Sequence, residues 1–387
     1  MGISVGIVGL GSFGSAFADL FRSHPLVERL ALCDREPDRI RRFAEQEAFQ
    51  AKFDASDAYD SLDALCASDL DAVALFTQPW LHAPQAIQAM DAGKHVYSAV
   101  PVAMLPDSDE ILDWCDRIVA TCRRTGMSYM LGETTVYRAE TMYCRRRAAE
   151  GAFGRFVHAE GEYIHDVDSP GCRLRDVRES RLASAPGQEW IAREKQYHDR
   201  GIVGGPMHYP THSVSGPIHV MQAHATQVCA WGTRNDTDPY FAHDFSNETA
   251  LFHMSNGATC RIAELREIGH PGAETFRLFG TEGSFREGAW LDKGCRTAVA
   301  DEDLRDPLPA DVEAAFRAAV GDGFLGGHGG SHAYLVHEFV DAIAHDRLPA
   351  IHAWEAVRYM AAGATAHKSA LRDGERLDVP DWGDAPA

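Results

Sequence analysis

Short apolar runs alternate with longer polar or amphipathic segments through the first third of the chain. Each run predicts a buried strand, and the segments between them predict helices, the longest over Asp107–Thr125. Because strands that alternate with helices form parallel βαβ units, we expect an α/β domain with a doubly wound parallel sheet over residues 1–131. The predicted strands are Ile3–Val8, Arg29–Cys33, Ala72–Phe76, His95–Tyr97 and Ser128–Leu131.

After residue 131 the strand-like runs follow one another with little helix between them. Asn256-Gly257 separates two of these runs and is typical of a tight hairpin. We therefore expect a second, α+β domain over residues 132–387 with an open, mainly antiparallel sheet. Its predicted strands are Phe156–Ile164, Ala223–Trp231, Glu248–Met254, Thr259–Glu267 and Glu274–Phe279.

Two other parts of the second domain bear on the site. Cys172–Gly204 is polar and irregular, and this pattern predicts a long functional loop or lid. Two amphipathic helices are predicted near the end, over His332–His345 and Ala353–Leu371, and they could pack back on the first domain.

The composition restricts the partners of the protein. The chain has 37 Lys and Arg against 57 Asp and Glu, a net charge of −20, which argues against nucleic acid and anionic membranes as main partners. No apolar run approaches the roughly 20 residues of a membrane-spanning helix. The nine cysteines lack C-x-x-C spacing, and no signal-like segment precedes Ile3. We expect a cytoplasmic protein without a disulfide framework.

A glycine-rich loop follows the first strand and begins a helix, which is the context that a dinucleotide site requires. Glycines permit a tight turn and close approach of a pyrophosphate, and the helix N-terminus offers free N–H groups. Asp34 ends the second strand, where a carboxylate suits the ribose of NAD and would repel the 2′-phosphate of NADP. Arg35 could lie against adenine or meet such a phosphate. We expect NAD at Gly9, Gly11, Ser12, Phe13, Gly14, Asp34 and Arg35.

A phenol and an imidazole are candidates for proton chemistry on one strand. Tyr163 and His165 are two residues apart, so their side chains face the same side of the strand and can form an acid–base pair. An ordinary half-buried aromatic beside a satisfied histidine is the plainer alternative.

Met207–His212 contains two further imidazoles and a phenol. Pro210 suits the first turn of a helix, which would bring His208, Tyr209 and His212 to one spot. A His-x-x-x-His pair can bind metal, but no carboxylate lies between the two histidines, so we expect proton transfer and no metal.

Three residues lie near the carboxyl ends of strands, where open α/β sheets bind ligands. Trp80 could border the nicotinamide, stack on a sugar or belong to the core. Glu133 could bind a sugar hydroxyl or act as a base, and His82 could belong to the same rim.

With this loop and domain order, the chain resembles the Gfo/Idh/MocA family of NAD(P)-dependent sugar oxidoreductases. The segments that carry the resemblance are the glycine loop, Gly93-Lys94-His95-Val96-Tyr97, Gly204-Gly205 and Phe279-Gly280-Thr281-Glu282-Gly283. The family usually has a Glu-Lys-Pro triplet whose Lys assists proton transfer, but this chain has Ala99-Val100-Pro101. In the wider family the position of His208 is usually Asp.

One branch of the family tolerates that loss, and this chain resembles it. The branch comprises NAD-dependent glycosidases such as α-N-acetylgalactosaminidase. The similar segments are Thr77–His82, Val100-Pro101, Glu133 with Tyr137-Arg138, Gly161–Asp166, Tyr209–His212 and His328-Gly329-Gly330. The resemblance implies cofactor contacts at Thr77, Pro79, Trp80 and Pro101. It also implies sugar contacts at Trp80, His82, Tyr137, His165, Asp166 and His328. His332 stands near a position that is acidic in the branch.

The resemblance implies redox-assisted hydrolysis of a glycoside. The steps would be oxidation at sugar C3, proton removal at C2, elimination at C1, addition of water and re-reduction. The candidate catalytic residues are Tyr163 as the C2 base, His212 at the C3 hydroxyl, and Glu133, His208 and Tyr209. The alternatives are a net sugar or cyclitol dehydrogenase without the usual Lys, and a non-catalytic NAD-binding sensor. We also expect a homodimer or homotetramer.

Overall fold

The first sheet has six parallel strands. The computed structural model describes residues 2–242 and 244–386. The strand order is β3-β2-β1-β4-β5-β6, and every pair in it is parallel. The strands are β1 Ile3–Val8, β2 Val27–Cys33, β3 Ala58–Tyr59, β4 Ala72–Leu75, β5 His95–Ser98 and β6 Tyr129–Leu131. This order confirms the doubly wound parallel sheet, because it reverses between β1 and β4.

The second sheet has nine strands in the order β14-β13-β12-β11-β7-β10-β9-β8-β15. It is antiparallel except for the parallel pair β7 and β10, so the mainly antiparallel sheet is confirmed. Asn256-Gly257 lies in the turn between β9 and β10, as predicted. The strands are β7 Phe156–Ile164, β8 Ala225–Arg234, β9 Phe245–Met254, β10 Thr259–Leu265, β11 Ala273–Gly280, β12 Gly283–Arg286, β13 Ala289–Asp292, β14 Arg296–Ala298 and β15 Leu377–Asp378.

Helices cover both faces of the first sheet and one face of the second. The helix α10 lies across β7 and β11, α14 packs on α1, and α15 packs on α6. The helices are α1 Ser12–Ser23, α2 Pro37–Ala44, α3 Glu47–Gln50, α4 Leu62–Cys66, α5 His82–Asp91, α6 Ser108–Thr125, α7 Ala139–Ala149, α8 Leu174–Ala183, α9 Ala185–Asp199, α10 Thr211–Met221, α11 Asp301–Leu304, α12 Ala310–Val320, α13 Gly327–Gly330, α14 His332–Ala344 and α15 Ala353–Ala370.

The prediction of a long loop over Cys172–Gly204 is wrong, because most of this segment forms a helical hairpin of α8 and α9. Ser184 caps α9 by accepting a hydrogen bond from the Gly187 N–H, with Pro186 in the first turn. The helix α8 buries no side chain, and α9 buries Trp190 and Tyr197. The hairpin therefore depends on its docking against the first domain, a tertiary contact that local periodicity does not reveal.

All nine cysteines are free. Within residues 2–242 and 244–386, no helix has the length and apolar character needed to cross a membrane.

Candidate active site

The glycine loop has the geometry of a phosphate-binding turn. Gly9 has a φ of 90°, a left-handed conformation that favours glycine, and a Cβ there would lie 2.8 Å from the Phe76 carbonyl oxygen. A Cβ at Gly14 would lie 2.0 Å from the Gly9 carbonyl oxygen, so α1 packs closely on β1. By contrast, a Cβ at Gly11 would meet nothing closer than Arg39 Nη1 at 3.8 Å, which leaves space above the helix N-terminus. This cradle fits a dinucleotide pyrophosphate.

The acidic residue at the end of β2 is held beside this loop. Asp34 is buried, and its Oδ2 accepts a hydrogen bond of 2.8 Å from the Leu10 N–H. The Arg39 guanidinium lies 3.5 Å from the same oxygen. Arg35, which we expected near adenine or a phosphate, forms an ion pair of 3.1 Å with Glu189 of α9. The carboxylate beside the loop fits NAD, since a ribose hydroxyl can donate to it.

Glu133 and His212 form a buried pair where the two domains meet. Glu133 follows β6 with no exposed surface, and its Oε1 accepts hydrogen bonds from the Thr135 N–H (2.8 Å) and the His212 Nδ1–H (2.9 Å). Burial alone would lower the pKa of His212, but attraction to Glu133 and Glu274 outweighs it and raises that pKa above its usual value. Burial would raise the pKa of Glu133, but the same attraction outweighs it and lowers that pKa. Near neutral pH the pair is therefore a protonated imidazole held against a carboxylate.

The side chain of Tyr163, near the end of β7, meets that of His165, which directly follows this strand, as their spacing predicts. The Tyr163 O–H donates to His165 Nδ1 over 2.7 Å, because the His165 Nε2–H is donated to the Cys172 carbonyl at 2.9 Å. The Tyr163 ring lies edge-on to the His212 ring, with 5.0 Å between centroids. Tyr209 completes the cluster, with its hydroxyl 3.4 Å from His212 Nε2. Burial raises the pKa of Tyr163 and of Tyr209 and lowers the pKa of His165.

Charged residues that the sequence analysis did not select surround this cluster. Glu274 of β11 forms an ion pair of 2.5 Å with Arg138, and its Oε2 lies 3.9 Å from His212 Nδ1. Arg266 is buried with its guanidinium carbon 4.3 Å from the centroid of the Tyr163 ring, and it forms an ion pair of 2.5 Å with Glu264. The sequence signal for them was charged residues within two strand-like runs, which is equally typical of a solvated sheet face.

A cavity of about 860 Å³ opens beside the cluster. Its polar wall includes Arg138, Tyr163, His165, Asp166, Glu274 and His328. The Asp166 carboxylate is partly used by backbone, since it accepts hydrogen bonds from the Asp168 and Ile268 N–H groups. This volume is within the range of small-molecule sites, and the polar part of its wall can bind hydroxyl groups.

The predicted cluster of three residues on one helix start is wrong at His208. A short 3₁₀ turn ends at His208, Tyr209 is non-helical, and α10 begins only at Thr211. His208 is therefore turned elsewhere, with Nε2 2.8 Å from Ser108 Oγ and its ring 4.2 Å from that of His367. Among the residues described, no group of three or more His, Cys, Asp or Glu could hold a metal ion.

Two other predicted sugar contacts lie inside the protein. His82 is buried, with Nδ1 2.8 Å from the Pro101 carbonyl and Nε2 3.1 Å from the Thr77 carbonyl, so it ties two loops together. Tyr137 is buried and stacks on Tyr334, with 6.3 Å between ring centroids. Both side chains pack inside the protein, and neither lines the cavity.

The segment expected at the nicotinamide end contacts the α8–α9 hairpin. Trp80 stacks on Trp190 of α9, with 4.7 Å between ring centroids. The Thr77 hydroxyl donates to Gln85 Oε1 at 2.5 Å, and Pro79 is buried beside it. Arg35 contacts the same hairpin, so α9 runs along the first domain from the Asp34 end to Trp80.

Comparisons with known proteins agree with this architecture. Residues 3–133 match the model of the Gfo/Idh/MocA oxidoreductase family, described as an NAD-binding Rossmann fold. A glycosyl hydrolase family 109 protein of Porphyromonas gingivalis is 27% identical over 319 residues, covering 78% of this chain and 64% of the relative. One of Shewanella sp. is 32% identical over 170 residues, covering 43% of this chain and 36% of the relative. These matches confirm the resemblance to the family and to its glycosidase branch, and the prediction of an NAD-binding domain.

A solved structure shares the fold of nearly the whole chain. The aldose-aldose oxidoreductase of Caulobacter crescentus superposes with a TM-score of 0.72 at 17% identity, covering 98% of this chain and 100% of that one. This chain spans 64% of the length of the Porphyromonas gingivalis relative and 36% of the length of the Shewanella relative.

Proposed function

We propose that the protein is an NAD-dependent enzyme acting on a sugar or glycoside, because residues 3–133 match the oxidoreductase family with an NAD-binding Rossmann fold. The proposed net reaction is hydrolysis of a glycosidic bond through oxidation at C3, elimination at C1, addition of water and reduction at C3. The observation that carries the proposal is the Glu133–His212 pair beside Tyr163, which itself lines a cavity together with other groups that bind hydroxyls. The two glycosyl hydrolase relatives support it.

The residues of the glycine loop and Asp34 would hold the cofactor. Bound NAD supplies an acceptor for two electrons that can return them to the same sugar, so net hydrolysis consumes no oxidant. The free N–H groups at the start of α1 bind the pyrophosphate, and Asp34 accepts from a ribose hydroxyl.

His212 is the proposed proton acceptor for the C3 hydroxyl. Its Nδ1–H is held by Glu133, so Nε2 is the nitrogen directed toward Tyr209 and the reacting sugar. The neutral form of His212, which prevails above its raised pKa of about 9, takes the hydroxyl proton at Nε2, and the Glu133 carboxylate then balances the charge of the imidazolium. Glu133 thus orients and neutralises the base His212. The pair would perform the proton transfer for which the family that this chain resembles uses a Lys, at the position of Val100.

Tyr163 is the proposed base at C2. A ketone at C3 makes the neighbouring C2 proton acidic, but a phenol can remove it only as the phenolate. His165 Nδ1 accepts the Tyr163 hydroxyl proton along the existing hydrogen bond, and the Arg266 guanidinium against the ring stabilises the negative charge. The guanidinium counters part of the burial that raises the pKa of Tyr163.

A net sugar dehydrogenase is the second candidate. The same Glu133–His212 pair can accept the hydroxyl proton in a simple oxidation, and the similar fold of an aldose-aldose oxidoreductase is compatible with it. The two candidates differ at C2, since only hydrolysis by elimination needs a base there.

The experiment offers aryl glycosides to the purified protein in D₂O without added cofactor, after bound NAD has been measured by absorbance. Release of the aryl alcohol with deuterium at C2 of the sugar is expected for hydrolysis. Stoichiometric NADH from a free sugar, without deuterium at C2, would support the dehydrogenase instead. Silence over a broad panel with NAD bound would leave an NAD-binding sensor.

A variant of the proposed base separates chemistry from folding. Tyr163→Phe removes one hydroxyl and should lower aryl alcohol release and C2 exchange at least about 10²-fold, the usual contribution of a positioned base. Tyr143→Phe makes the same chemical change at a half-buried ring that packs on Phe285, away from the cavity, and should leave both rates unchanged. Equal activity of the two variants would contradict the role of Tyr163.

Cytoplasmic location and assembly into a homodimer or homotetramer stay predictions. So does the split of the chain near residue 131 into a cofactor part and a sugar part. Fractionation and measurement of the mass in solution test the first two.

A further inference from the structure

Two histidines form a directed hydrogen-bond chain at the edge of the cavity. The Gly327 N–H lies 3.3 Å from His332 Nδ1, and His332 Nε2 lies 2.9 Å from His328 Nδ1. A backbone N–H can only donate, so His332 Nδ1 accepts and the single proton of a neutral His332 is on Nε2. That proton is donated to His328 Nδ1, so the proton of His328 is on its own Nε2.

His332, the first histidine of this hydrogen-bond chain, is fixed in its orientation and in its protonation state. His332 is 3% exposed, and its ring stacks on Phe17 with 4.3 Å between centroids. Phe13 of the glycine loop packs edge-on against it at 5.8 Å. Burial and the nearby His328 lower the pKa of His332 to about 4, so it carries one proton at neutral pH.

The second histidine faces the cavity. His328 has a left-handed φ of 52°, is exposed, and lines the same cavity as Arg138 and Glu274. Its ring centroid lies 6.4 Å from that of His212. Because His332 occupies Nδ1, Nε2–H is the polar group that His328 has left for a ligand.

We propose that His332 is a positioning residue that fixes His328 as a hydrogen-bond donor and thereby sets the sugar selectivity of the cavity. This inference rests on the proposed function, in that the ligand is a sugar. A donor Nε2–H pairs with an acceptor oxygen, such as a hydroxyl, ether or carbonyl oxygen. A protonated amino group can only donate, so the Nε2–H of His328 would face a second donor and no hydrogen bond would form. The cavity should therefore reject the sugar whose amino group replaces the hydroxyl at this wall.

The first test measures the tautomer of His328 in the NAD-bound protein by ¹⁵N NMR of labelled histidines. In the natural chain the proton of His328 is expected on Nε2. In His332→Asp a carboxylate, which only accepts, replaces the imidazole, so the proton of His328 should move to Nδ1. His345→Asp makes the same change at an exposed position near the end of α14 and should leave His328 as it was. A proton on Nδ1 in the natural chain, or no change in His332→Asp, would overturn the proposal.

The second test measures selectivity by binding. The probes are a methyl glycoside that the protein binds and its monoamino derivatives, each with one hydroxyl replaced by an amino group. At one position the natural chain should bind the hydroxyl form about five- to tenfold more tightly, the effect of one lost hydrogen bond with an unpaired donor. In His332→Asp that preference should shrink or reverse, while His332→Phe should weaken the binding of both forms.

The outcomes separate this proposal from the proposed function. The tautomer and the binding ratio need no turnover, so both can stand when no glycoside is hydrolysed, in which case the proposed function alone fails. If the tautomer moves in His332→Asp but the binding ratio stays constant, the selectivity is refuted. The selectivity is also refuted if none of the methyl glycosides tested binds to the protein.

Discussion

The approach of α10 to β7 gives a quantitative test of how the site is built. Gly161 lies in the middle of β7, and a Cβ there would be 1.9 Å from the Ser213 carbonyl oxygen of α10. That oxygen belongs to the helix backbone, so it cannot swing aside as a flexible side chain would. In Gly161→Ala the helix must move away from the strand by about 1.5 Å before the contact reaches van der Waals distance.

Two effects of similar size follow from this displacement. Overpacking of a close contact costs about 1–3 kcal/mol in the free energy of unfolding. Catalysis should be affected as well, because α10 carries His212 while β7 carries Tyr163, and their rings are 5.0 Å apart. A misplacement of about 1 Å between acting groups can lower a rate about 10²-fold. Binding of NAD should be unchanged, since the glycine loop lies outside this contact.

Urea unfolding gives the stability of Gly161→Ala, and aryl alcohol release and C2 exchange give its activity. Gly323→Ala is the matched control, because Gly323 is exposed, lacks a positive φ and has no neighbour within 4 Å of the point that an added methyl group would occupy. A free energy of unfolding within about 0.5 kcal/mol of the control, together with rates within about twofold of it, would refute the reasoning, since α10 would then not be held by this contact.

Two other predictions concern the contacts between the domains. Glu133→Gln removes the carboxylate that raises the pKa of His212, so neutral His212 should prevail at lower pH. The pH at which C3 oxidation is half-maximal should fall by about one unit or more, measured by NADH formation in single-turnover reactions. Trp190→Ala removes the stack on Trp80 and should speed NAD dissociation by about two- to tenfold, measured by displacement in rapid mixing. An unchanged pH profile, or an unchanged dissociation rate, would contradict the respective contact.

The features that the sequence predicted well depend on local pattern. The strand at Ile3–Val8, the glycine loop after it and the turn at Asn256-Gly257 are each specified by neighbours in sequence. The α8–α9 hairpin was missed because its buried aromatic residues, Trp190 and Tyr197, are too few to give a helical period. Their partners lie in the first domain, and no local pattern records that docking.

The same limit explains the candidate site. The alternation of β7 correctly placed Tyr163 beside His165, since a period of two is a property of the strand itself. Glu274 and Arg266 also belong to strand-like runs, but charged residues in such runs are usual on a solvated sheet face. Here α10 packs against β10 and β11, which leaves Arg266 buried and Glu274 only partly exposed. The predicted position of His208 was wrong for a related reason. The non-helical Tyr209 separates His208 from the helix that begins at Thr211.

Under the proposed function, the proton chemistry lies at the contact between two parts of the chain, which has Val100 where the family that it resembles has Lys. Here Glu133 follows the last strand of the first sheet, whereas His212 lies on α10 against the second sheet. The proposed proton acceptor is therefore held in place only when both parts are docked, and the same buried pair joins the end of β6 to the helix that lies on the second sheet. Breaking such a buried pair by removing one partner leaves an uncompensated charge, so the contact proposed for catalysis should also stabilise the docking of the two parts.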